Sequence, residues 1–362
     1  MHSAAPDPLP ARTGAVWGRA RLLRGLLLFL IATAIGFVIL ARRGTLAGGL
    51  VALQRVHPWA IGIGLLHVVL DQVLGGMRVA CCLRATGERA PLRACIASNA
   101  ANVFLGGATP SQSGGGPAQI LVLRQAGVSL ARASLASWLA FVGTALVFLT
   151  LGLVFPHTAA SRMLPAGWNL YTHATAAIFG GILLALVLVL PRPAGLLRLP
   201  WIGARWERSR RRTQLEGFLA ASRSGLQHAV RRGKWAFTTA LVLSVAIYLN
   251  KFLVAVTVMR GLGLDVPLRA VLELQMLQFL VLYFAPTPGA SGLAEVTAAT
   301  ILQDFVPADR LAAYLILWRT FTLYAGMALG ALILMRAAAV ISATRGRASE
   351  SHATIAIGHA RR

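Results

Sequence analysis

Acidic residues and lysines are scarce in this sequence. Asp and Glu number 11 against 35 Lys and Arg, so the net charge is +24, and lysine occurs only at positions 234 and 251. Charged residues make up 13% of the chain, whereas an ordinary soluble domain carries about 25%. Because 57% of the residues are hydrophobic, we exclude a soluble fold. We attribute the positive charge to contact with anionic lipid headgroups rather than with nucleic acid.

Cysteine is also rare. Cys81, Cys82 and Cys95 cannot form an even set of disulfides, and their spacing does not match a zinc site. The sequence lacks the Asp clusters of CDP-alcohol transferases and the acidic pairs of metal-dependent lipid glycosyltransferases. The Arg/Lys/His sets of phosphatases are missing too. We therefore expect no metal, no cofactor and no enzymatic activity.

Apolar runs of about 20 residues are abundant, and each can cross a hydrocarbon core of about 30 Å. A β-barrel would show shorter, alternating segments. The sequence predicts an all-α polytopic membrane protein with about six full transmembrane helices and two broken helix pairs. The full helices are predicted at about 22–41, 58–84, 130–155, 170–190, 236–259 and 310–336, and the broken pairs at about 92–107 with 112–125 and 269–285 with 290–305.

The distribution of arginine predicts the topology, because cytoplasmic loops are enriched in basic residues. The segment 192–234 is dense in arginine, whereas 156–170 contains only Arg162. This places both termini in the cytoplasm, and only the basic loop between the first two helices disagrees, with Arg42, Arg43 and Arg55. Three full helices separate the broken pairs, so the second pair is inverted relative to the first. We predict an inverted-topology repeat.

We divide the chain into a basic cytoplasmic arm (1–21), one transmembrane domain (22–336) and a polar tail (337–362). The halves of the domain cover about 22–155 and 170–336, with a basic cytoplasmic linker at about 191–235. The first apolar run follows three arginines and could be a signal peptide. No small-residue cleavage site follows it, which favours an uncleaved helix.

The basic linker contains apolar residues at helical spacing: Leu215, Phe218, Leu219, Leu226 and Val230. Arginines occupy the remaining face of such a helix. The pattern is typical of an amphipathic helix that lies on anionic lipid. A solvated basic connector is the alternative.

One motif occurs twice. T-P-S-Q-S-G at 109–114 follows P-L-R-A at 91–94, and T-P-G-A-S-G at 287–292 follows P-L-R-A at 267–270. Two polar amides precede the glycine-containing element in each copy, namely Asn99 and Asn102 in the first and Gln275 and Gln278 in the second. A duplicated hydrophobic segment that is broken by Gly and Pro indicates the binding site of a transporter. The shared Ala, Leu and Gly content of the chain is an alternative source of part of the match.

The T-P-x-x-S-G element has a physical use inside a membrane. Proline ends the incoming helix, and glycine adopts backbone conformations closed to other residues. The freed backbone groups are tolerated at membrane depth only where they line a cavity. The N-terminus of the outgoing helix then presents N–H donors and partial positive charge, which suit a phosphate. The alternative is an ordinary helix–loop–helix with tight glycine packing.

Six ionisable residues interrupt the apolar runs: Asp71, Arg78, Lys251, Glu273, Glu295 and Arg319. Each costs about 2.5–3.5 kcal/mol at a helix centre, so we expect them to face protein or a water-filled cavity, paired with each other or with substrate. His67, Asp71 and Arg78 share one helix face. We expect an Asp71–Arg78 pair loosened by the two glycines between them, with His67 as a hydrogen-bonded interior residue. Purely structural salt bridges are the alternative.

The first element continues as G-G-P-A-Q at 115–119 and resembles the T-P-x-x-x-G-G-x-P-A motif of the flippase-like transmembrane domain of lysylphosphatidylglycerol synthases. The segment 286–295 ends in G-x-x-E and resembles that family's second motif. The resemblance covers nearly the whole chain, although Gly116 stands where the family usually has Gln. It implies a domain that moves aminoacylated phosphatidylglycerol between leaflets. The aminoacyltransferase domain of the synthases is not expected in the short segment after Arg336.

We therefore expect a multi-pass lipid translocase of the bacterial cytoplasmic membrane that moves an anionic or aminoacylated phospholipid, or a lipid-linked headgroup. An accessory protein for a lipid-modifying enzyme and a membrane enzyme acting on lipid-linked substrates are the alternatives. The residues predicted to bind the lipid are Asp71, Arg78, Asn99, Asn102, Thr109, Pro110, Ser113, Gly114, Gly115, Gly116, Gln119, Lys251, Gln278, Thr287, Pro288, Gly289, Ser291, Gly292, Glu295 and Arg319.

Overall fold

A computed structural model describes residues 31, 45–165, 167–189 and 210–336, and this part of the chain consists of helices joined by turns. The predicted arm 1–21, most of the predicted first helix and the tail 337–362 lie outside the described residues. The helices are α1 Thr45–Gln54, α2 Pro58–Ala85, α3 Leu92–Ala108, α4 Gly115–Gln125, α5 Leu130–Val154, α6 Ala159–Met163, α7 Gly167–Val189, α8 Arg210–Arg231, α9 Lys234–Gly261, α10 Leu268–Tyr283, α11 Leu293–Ile301 and α12 Ala308–Arg336.

The helices predicted between 58 and 336 are confirmed, most with boundaries within a few residues. Four described stretches are long and apolar enough to cross a membrane: Pro58–Ala85, Leu130–His157, Lys234–Gly261 and Ala308–Arg336. Sequence reasoning missed α1 and α6, which are too short to register as spans. α1 packs closely on α12, since a Cβ on Gly49 would lie 2.6 Å from the Cβ of Ala312.

α2 and α9 are antiparallel neighbours. At one end the His57 amide donates to the carbonyl of Gly261 at 3.0 Å, so the start of α2 meets the end of α9. At the other end Gly233, just before α9, packs so closely on the carbonyl of Ala85 that any larger residue would clash. We call the first the α6 end and the second the α8 end of the bundle, after the helices found there.

α3 and α4 form a hairpin whose outer ends both lie at the α8 end. Arg132, in the first turn of α5, donates a hydrogen bond to the carbonyl of Thr86, just beyond α2. The chain therefore leaves and re-enters this end between the two residues. α3 has 17 residues and α4 has 11. At 1.5 Å per residue both are shorter than a hydrocarbon core of about 30 Å.

α10 and α11 form a second hairpin, which starts and finishes at the α6 end. Arg310 near the start of α12 donates to the carbonyl of Leu262, just beyond α9, at 3.0 Å. These two helices have 16 and 9 residues. The hairpins thus enter the bundle from opposite ends, and their tips meet where the Ser111 hydroxyl donates to the carbonyl of Ala285 at 3.4 Å.

Glycines bring α3 close to α2 and α12. Gly75 and Gly76 of α2 face Asn99 and Ile96 of α3 with no room for a side chain, and α2 is continuous through them. The expectation that these glycines loosen the helix is therefore wrong, because they serve close packing. On the other side, a Cβ on Gly330 would lie 2.6 Å from the carbonyl oxygen of Ala100.

The described part of the basic linker forms a helix, α8. Its Gly225 and Ala229 are buried, and Ser224 accepts a hydrogen bond from Arg132 of α5 at 3.4 Å. One face of α8 is therefore covered by protein. Neither of the two predictions, a helix on anionic lipid or a solvated basic connector, included this packing. Val230 remains 60% exposed.

Candidate functional site

A cavity of about 400 Å³ lies where the tips of the two hairpins meet. Ser111 and Gln112 line it from the first T-P-x-x-S-G turn, and Thr287, Gly289 and Ala290 line it from the second. Residues of α2, α3, α4, α5, α9, α10 and α12 complete the wall. Both copies of the repeated motif therefore border one cavity, as their shared pattern of helix breaks predicts.

The two turns share one backbone conformation over their first four residues and differ at the serine and glycine that follow. Each begins at an extended threonine, continues as a three-residue 3₁₀ turn and has positive φ at its third and fourth positions. The φ angles are 49° and 55° at Ser111 and Gln112, and 58° and 56° at Gly289 and Ala290. Positive φ is unfavourable for residues with a Cβ and is found most often where function requires it. The sequence repeat is thus a structural repeat.

The threonine of each turn stabilises the turn itself. The Thr109 hydroxyl accepts from the Gly114 amide at 2.8 Å and donates to the Leu105 carbonyl at 2.7 Å. The Thr287 hydroxyl donates to the Ser291 carbonyl at 2.9 Å. These bonds satisfy backbone groups that the helix break sets free. Thr109 does not line the cavity, because its side chain points back into its own turn.

Glu295 caps the second half-helix. Its Oε2 accepts from the Gly292 amide at 2.7 Å, and its Oε1 lies 3.1 Å from Nε of Arg319, which in turn donates to Ser291 at 3.1 Å. Both side chains are almost fully buried. The carboxylate therefore caps the helix and also pairs with a cation of α12. The N-terminus of α11 does not face the cavity as expected, because this carboxylate occupies it.

Asp71 pairs with Lys251 of α9, whose Nζ lies 2.8 Å from Oδ1. The expected Asp71–Arg78 pair is wrong. The two residues share a face of α2, but seven residues separate them along the axis by about 10 Å. The antiparallel α9 instead brings a lysine directly opposite the carboxylate.

Arg78 is a cation of the cavity that pairs with no carboxylate in the described part of the chain. Its Nη1 donates to the Thr144 hydroxyl at 3.2 Å, and its buried Nε has no hydrogen-bond partner among the same residues. Among the described residues no carboxylate lies within 4.0 Å of the guanidinium. Because Asp71 neutralises Lys251 and Glu295 neutralises Arg319, the charged side chains of the described wall leave one positive charge in excess.

A cluster of neutral polar side chains lies on the wall formed by α3, α4 and α5. The Asn102 amide and the Ser137 hydroxyl both donate to Oε1 of Gln119, each at 3.2 Å. Beside it, Asn99 donates to Gln72 at 3.0 Å. Gly116 stands next to Ser137 with open space around it, so the Gln expected from the family motif would have projected here.

The structure separates the predicted site residues into two groups. Those that line the cavity are Asp71, Arg78, Asn99, Asn102, Gly116, Gln119, Lys251, Thr287, Gly289 and Arg319. Those that do not line it are Thr109, Pro110, Ser113, Gly114, Gly115, Gln278, Pro288, Ser291, Gly292 and Glu295. The second group shapes the turns and anchors the half-helices. Gln278, for example, accepts from Gln275 and donates to the Ala294 carbonyl, which ties α10 to α11.

Sequence reasoning missed the aromatic part of the wall and several hydroxyls. The missed lining residues with aromatic rings are Phe141, Phe148, Tyr248, Phe279, Tyr283 and Trp318. Nothing distinguishes them from lipid-facing aromatics in the sequence. Ser137 and Thr144 were missed because both lie within one apolar run. The π-helical turn Thr320–Tyr324 directly follows Arg319, and such turns are frequent at functional sites. No sequence pattern predicted this turn.

The other marked ionisable residues have structural contacts. His67 hydrogen-bonds Asn250 through Nδ1 at 2.7 Å and Thr257 through Nε2 at 3.1 Å, which confirms it as a hydrogen-bonded interior residue. Glu273 accepts from Arg269 at 2.7 Å and from the Ala160 amide at 2.9 Å. The latter bond fixes α6 to α10.

Comparison with known proteins identifies the family. No curated protein matches this chain. The family described as "Lysylphosphatidylglycerol synthase TM region" matches residues 16–330. This range includes both hairpins and every residue of the cavity wall. A match over this much of the sequence agrees with the resemblance of both turn motifs. The chain therefore belongs to the lysylphosphatidylglycerol synthase transmembrane-region family and is a membrane protein.

Proposed function

We propose that the protein binds the anionic headgroup of a phospholipid in this cavity and moves the lipid between leaflets. The observation that carries the proposal is Arg78, a cation of the cavity wall with no carboxylate partner in the described part of the chain. A buried charge left without a partner is costly. A phosphate that accepts charge-assisted hydrogen bonds from this guanidinium relieves that cost.

The size and composition of the cavity support the same function. Its volume of about 400 Å³ lies within the range of about 300–1,000 Å³ typical of small-molecule sites. An accessory protein that only holds an enzyme in place has no need for such a cavity, so translocation is favoured over that alternative. The proposed function requires no bond to be made or broken.

The arrangement of the hairpins supports movement across the membrane. We interpret α3–α4 and α10–α11 as re-entrant pairs of an inverted-topology repeat that meet at the bilayer midplane. The density of arginine in the segment 192–234, which includes α8, favours a cytoplasmic location of the α8 end. In this arrangement each hairpin separates the cavity from one aqueous side, and rocking of one repeat against the other exposes the site alternately.

Reconstitution into vesicles tests the proposed function. Phosphatidylglycerol with a fluorophore on its acyl chain is incorporated, and bleaching from outside reports exchange between leaflets. We expect exchange above that of protein-free vesicles. Arg78→Gln should slow it at least about tenfold, because one charge-assisted hydrogen bond is worth about 1.5–3 kcal/mol. Arg78→Lys should retain part of the activity.

Arg260→Gln is the matched control, because Arg260 is an exposed arginine in the last turn of α9. It should leave exchange unchanged. Equal exchange by wild type, Arg78→Gln and protein-free vesicles would rule out the proposed function. Wild-type exchange that Arg78→Gln does not slow would remove Arg78 from the binding site.

A further inference from the structure

We propose that the cavity selects phospholipids whose headgroup has a net charge of −1 and carries an uncharged, hydroxyl-bearing group beyond the phosphate, such as glycerol, inositol or a sugar. It excludes headgroups with a net positive charge, including aminoacylated ones. This inference rests on the proposed function and specifies its substrate class.

The charges of the wall argue against a cationic headgroup. A lysyl ester of phosphatidylglycerol carries two ammonium groups and one phosphate, a net charge of +1. Its ammonium groups require a carboxylate, but Asp71 is held by Lys251 at 2.8 Å. Glu295 does not line the cavity and is bound to Arg319 and to the Gly292 amide. The described wall therefore offers such a headgroup no unpaired carboxylate and one excess positive charge.

The phosphate position follows from Arg78. Its guanidinium and the Thr144 hydroxyl that it contacts both line the cavity. Together they are donors that a phosphodiester accepts from. A single negative charge on the lipid matches the single excess positive charge of the wall.

The hydroxyl-binding position follows from Asn102, Gln119 and Ser137. These residues come from three helices, join through Oε1 of Gln119 and carry no charge. Amides and hydroxyls both donate and accept, so they suit hydroxyl groups rather than ammonium groups.

Spacing along α5 places the two positions in one headgroup. Ser137 and Thr144 lie on the same face of α5, seven residues and therefore about 10 Å apart. The open space at Gly116 adjoins Ser137. A phosphate beside Thr144 thus leaves room for the attached polyol beside Ser137.

Four lipids with acyl-chain fluorophores separate charge from hydroxyl recognition in the exchange assay. They are phosphatidylglycerol, phosphatidylmethanol with the same charge and no headgroup hydroxyl, zwitterionic phosphatidylcholine, and lysylphosphatidylglycerol. We expect phosphatidylglycerol to exchange fastest and phosphatidylmethanol several-fold more slowly. The two lipids without net negative charge should exchange at least about tenfold more slowly than phosphatidylglycerol.

Gln119→Leu tests the hydroxyl-binding position. It should slow phosphatidylglycerol exchange several-fold more than phosphatidylmethanol exchange and so remove the advantage of phosphatidylglycerol. Thr150→Val, an exposed position on the outer face of α5, should preserve the full preference. If Gln119→Leu slows both lipids equally, or the advantage persists, the hydroxyl-binding position is wrong.

Failure of this inference is distinguishable from failure of the proposed function. Lysylphosphatidylglycerol that exchanges as fast as phosphatidylglycerol overturns the inference while translocation stands. If wild type moves none of the four lipids, the proposed function fails, and native mass spectrometry of the detergent-purified protein with the same four lipids decides the inference. Preferential retention of phosphatidylglycerol supports it, and equal retention of the lysyl lipid overturns it.

Discussion

Buried charges divide into those that hold helices together and those that face the cavity. Glu295 and Arg319 join α11 to α12 in an almost fully buried pair. Asp71 and Lys251 join α2 to α9 and also line the cavity, where the one partner of Arg78 among the described residues is a hydroxyl. Substitution of these residues should therefore affect stability, function or both in different proportions.

The Glu295–Arg319 pair should dominate stability at the residue scale. Glu295→Gln leaves the Arg319 guanidinium buried without its counter-charge, so we expect the free energy of unfolding to fall by about 3–5 kcal/mol. Adding Arg319→Gln should recover part of that loss, because it removes the unpaired charge. Denaturant titration in detergent micelles, arranged as a double-mutant cycle, measures both effects.

The pair formed by Arg269 and Glu273 is the matched comparison, since it also joins a guanidinium to a carboxylate but the arginine side chain is 80% exposed. Arg269→Gln should cost less than about 1 kcal/mol. Equal losses for Arg269→Gln and Glu295→Gln would contradict the importance assigned to burial.

At the scale of elements, each of the two turns combines proline, which ends a helix, with two residues at positive φ directly after it. In the first turn these residues are Ser111 and Gln112, and in the second Gly289 and Ala290. Only one of the four is glycine, so the other three carry backbone strain. The strain is located where the turns line the cavity.

Adjacent positions of the second turn allow a direct test of that strain. Ala290→Gly should stabilise the protein by about 1 kcal/mol, because glycine adopts the left-handed conformation without a Cβ clash. Gly289→Ala should destabilise it by a similar amount for the converse reason. The midpoints of thermal unfolding in one detergent give both shifts. Shifts of the same sign would show that the left-handed backbone does not govern these positions.

The packing of α3 on α12 depends on Gly330. A Cβ there would lie 2.6 Å from the backbone oxygen of Ala100, which cannot rotate away. Gly330→Ala should therefore destabilise the protein by about 1–3 kcal/mol through overpacking. Gly62→Ala, with nothing within 4 Å of the new Cβ, should be neutral or slightly stabilising because alanine favours helix. Thermal unfolding compares the two, and equal destabilisation would contradict the close approach of α3 and α12.

At the scale of the whole molecule, two hairpins that enter from opposite ends enclose one cavity. The hydrogen bond from Arg132 to the Thr86 carbonyl holds the outer ends of the first hairpin at one end of the bundle. The hydrogen bond from Arg310 to the Leu262 carbonyl holds those of the second hairpin at the other end. Neither hairpin extends through the whole bundle, because the two tips meet in its middle. The arrangement suits a site that must open to each side in turn.

Labelling of single cysteines tests this arrangement. Arg93→Cys and Gln125→Cys stand at the two outer ends of the first hairpin, and Asp265→Cys and Asp304→Cys at those of the second. All four positions are exposed, and the three native cysteines are buried. With a membrane-impermeant maleimide, the first two should react from one side of sealed vesicles and the last two only from the other. Two ends of one hairpin that react from opposite sides would show that the hairpin crosses the membrane.

Much of this protein was determined by local properties of the sequence. The lengths of the apolar runs located the helices from 58 onward, and T-P-x-x-S-G located both turns because proline and glycine break a helix wherever they stand. The cost of burying charge marked Arg78 and Lys251 as residues of the interior. The family could also be identified at this stage, from the two motifs.

Only the tertiary structure decided which residues meet. Asp71 pairs with Lys251 rather than Arg78, Glu295 faces Arg319 rather than the cavity, and Phe141 lines a cavity rather than contacting lipid. Each outcome depends on which helix lies beside which, and residues far apart in the sequence become neighbours only through packing. Periodicity specifies the face of a helix on which a side chain lies, but the neighbouring helix determines what that face contacts.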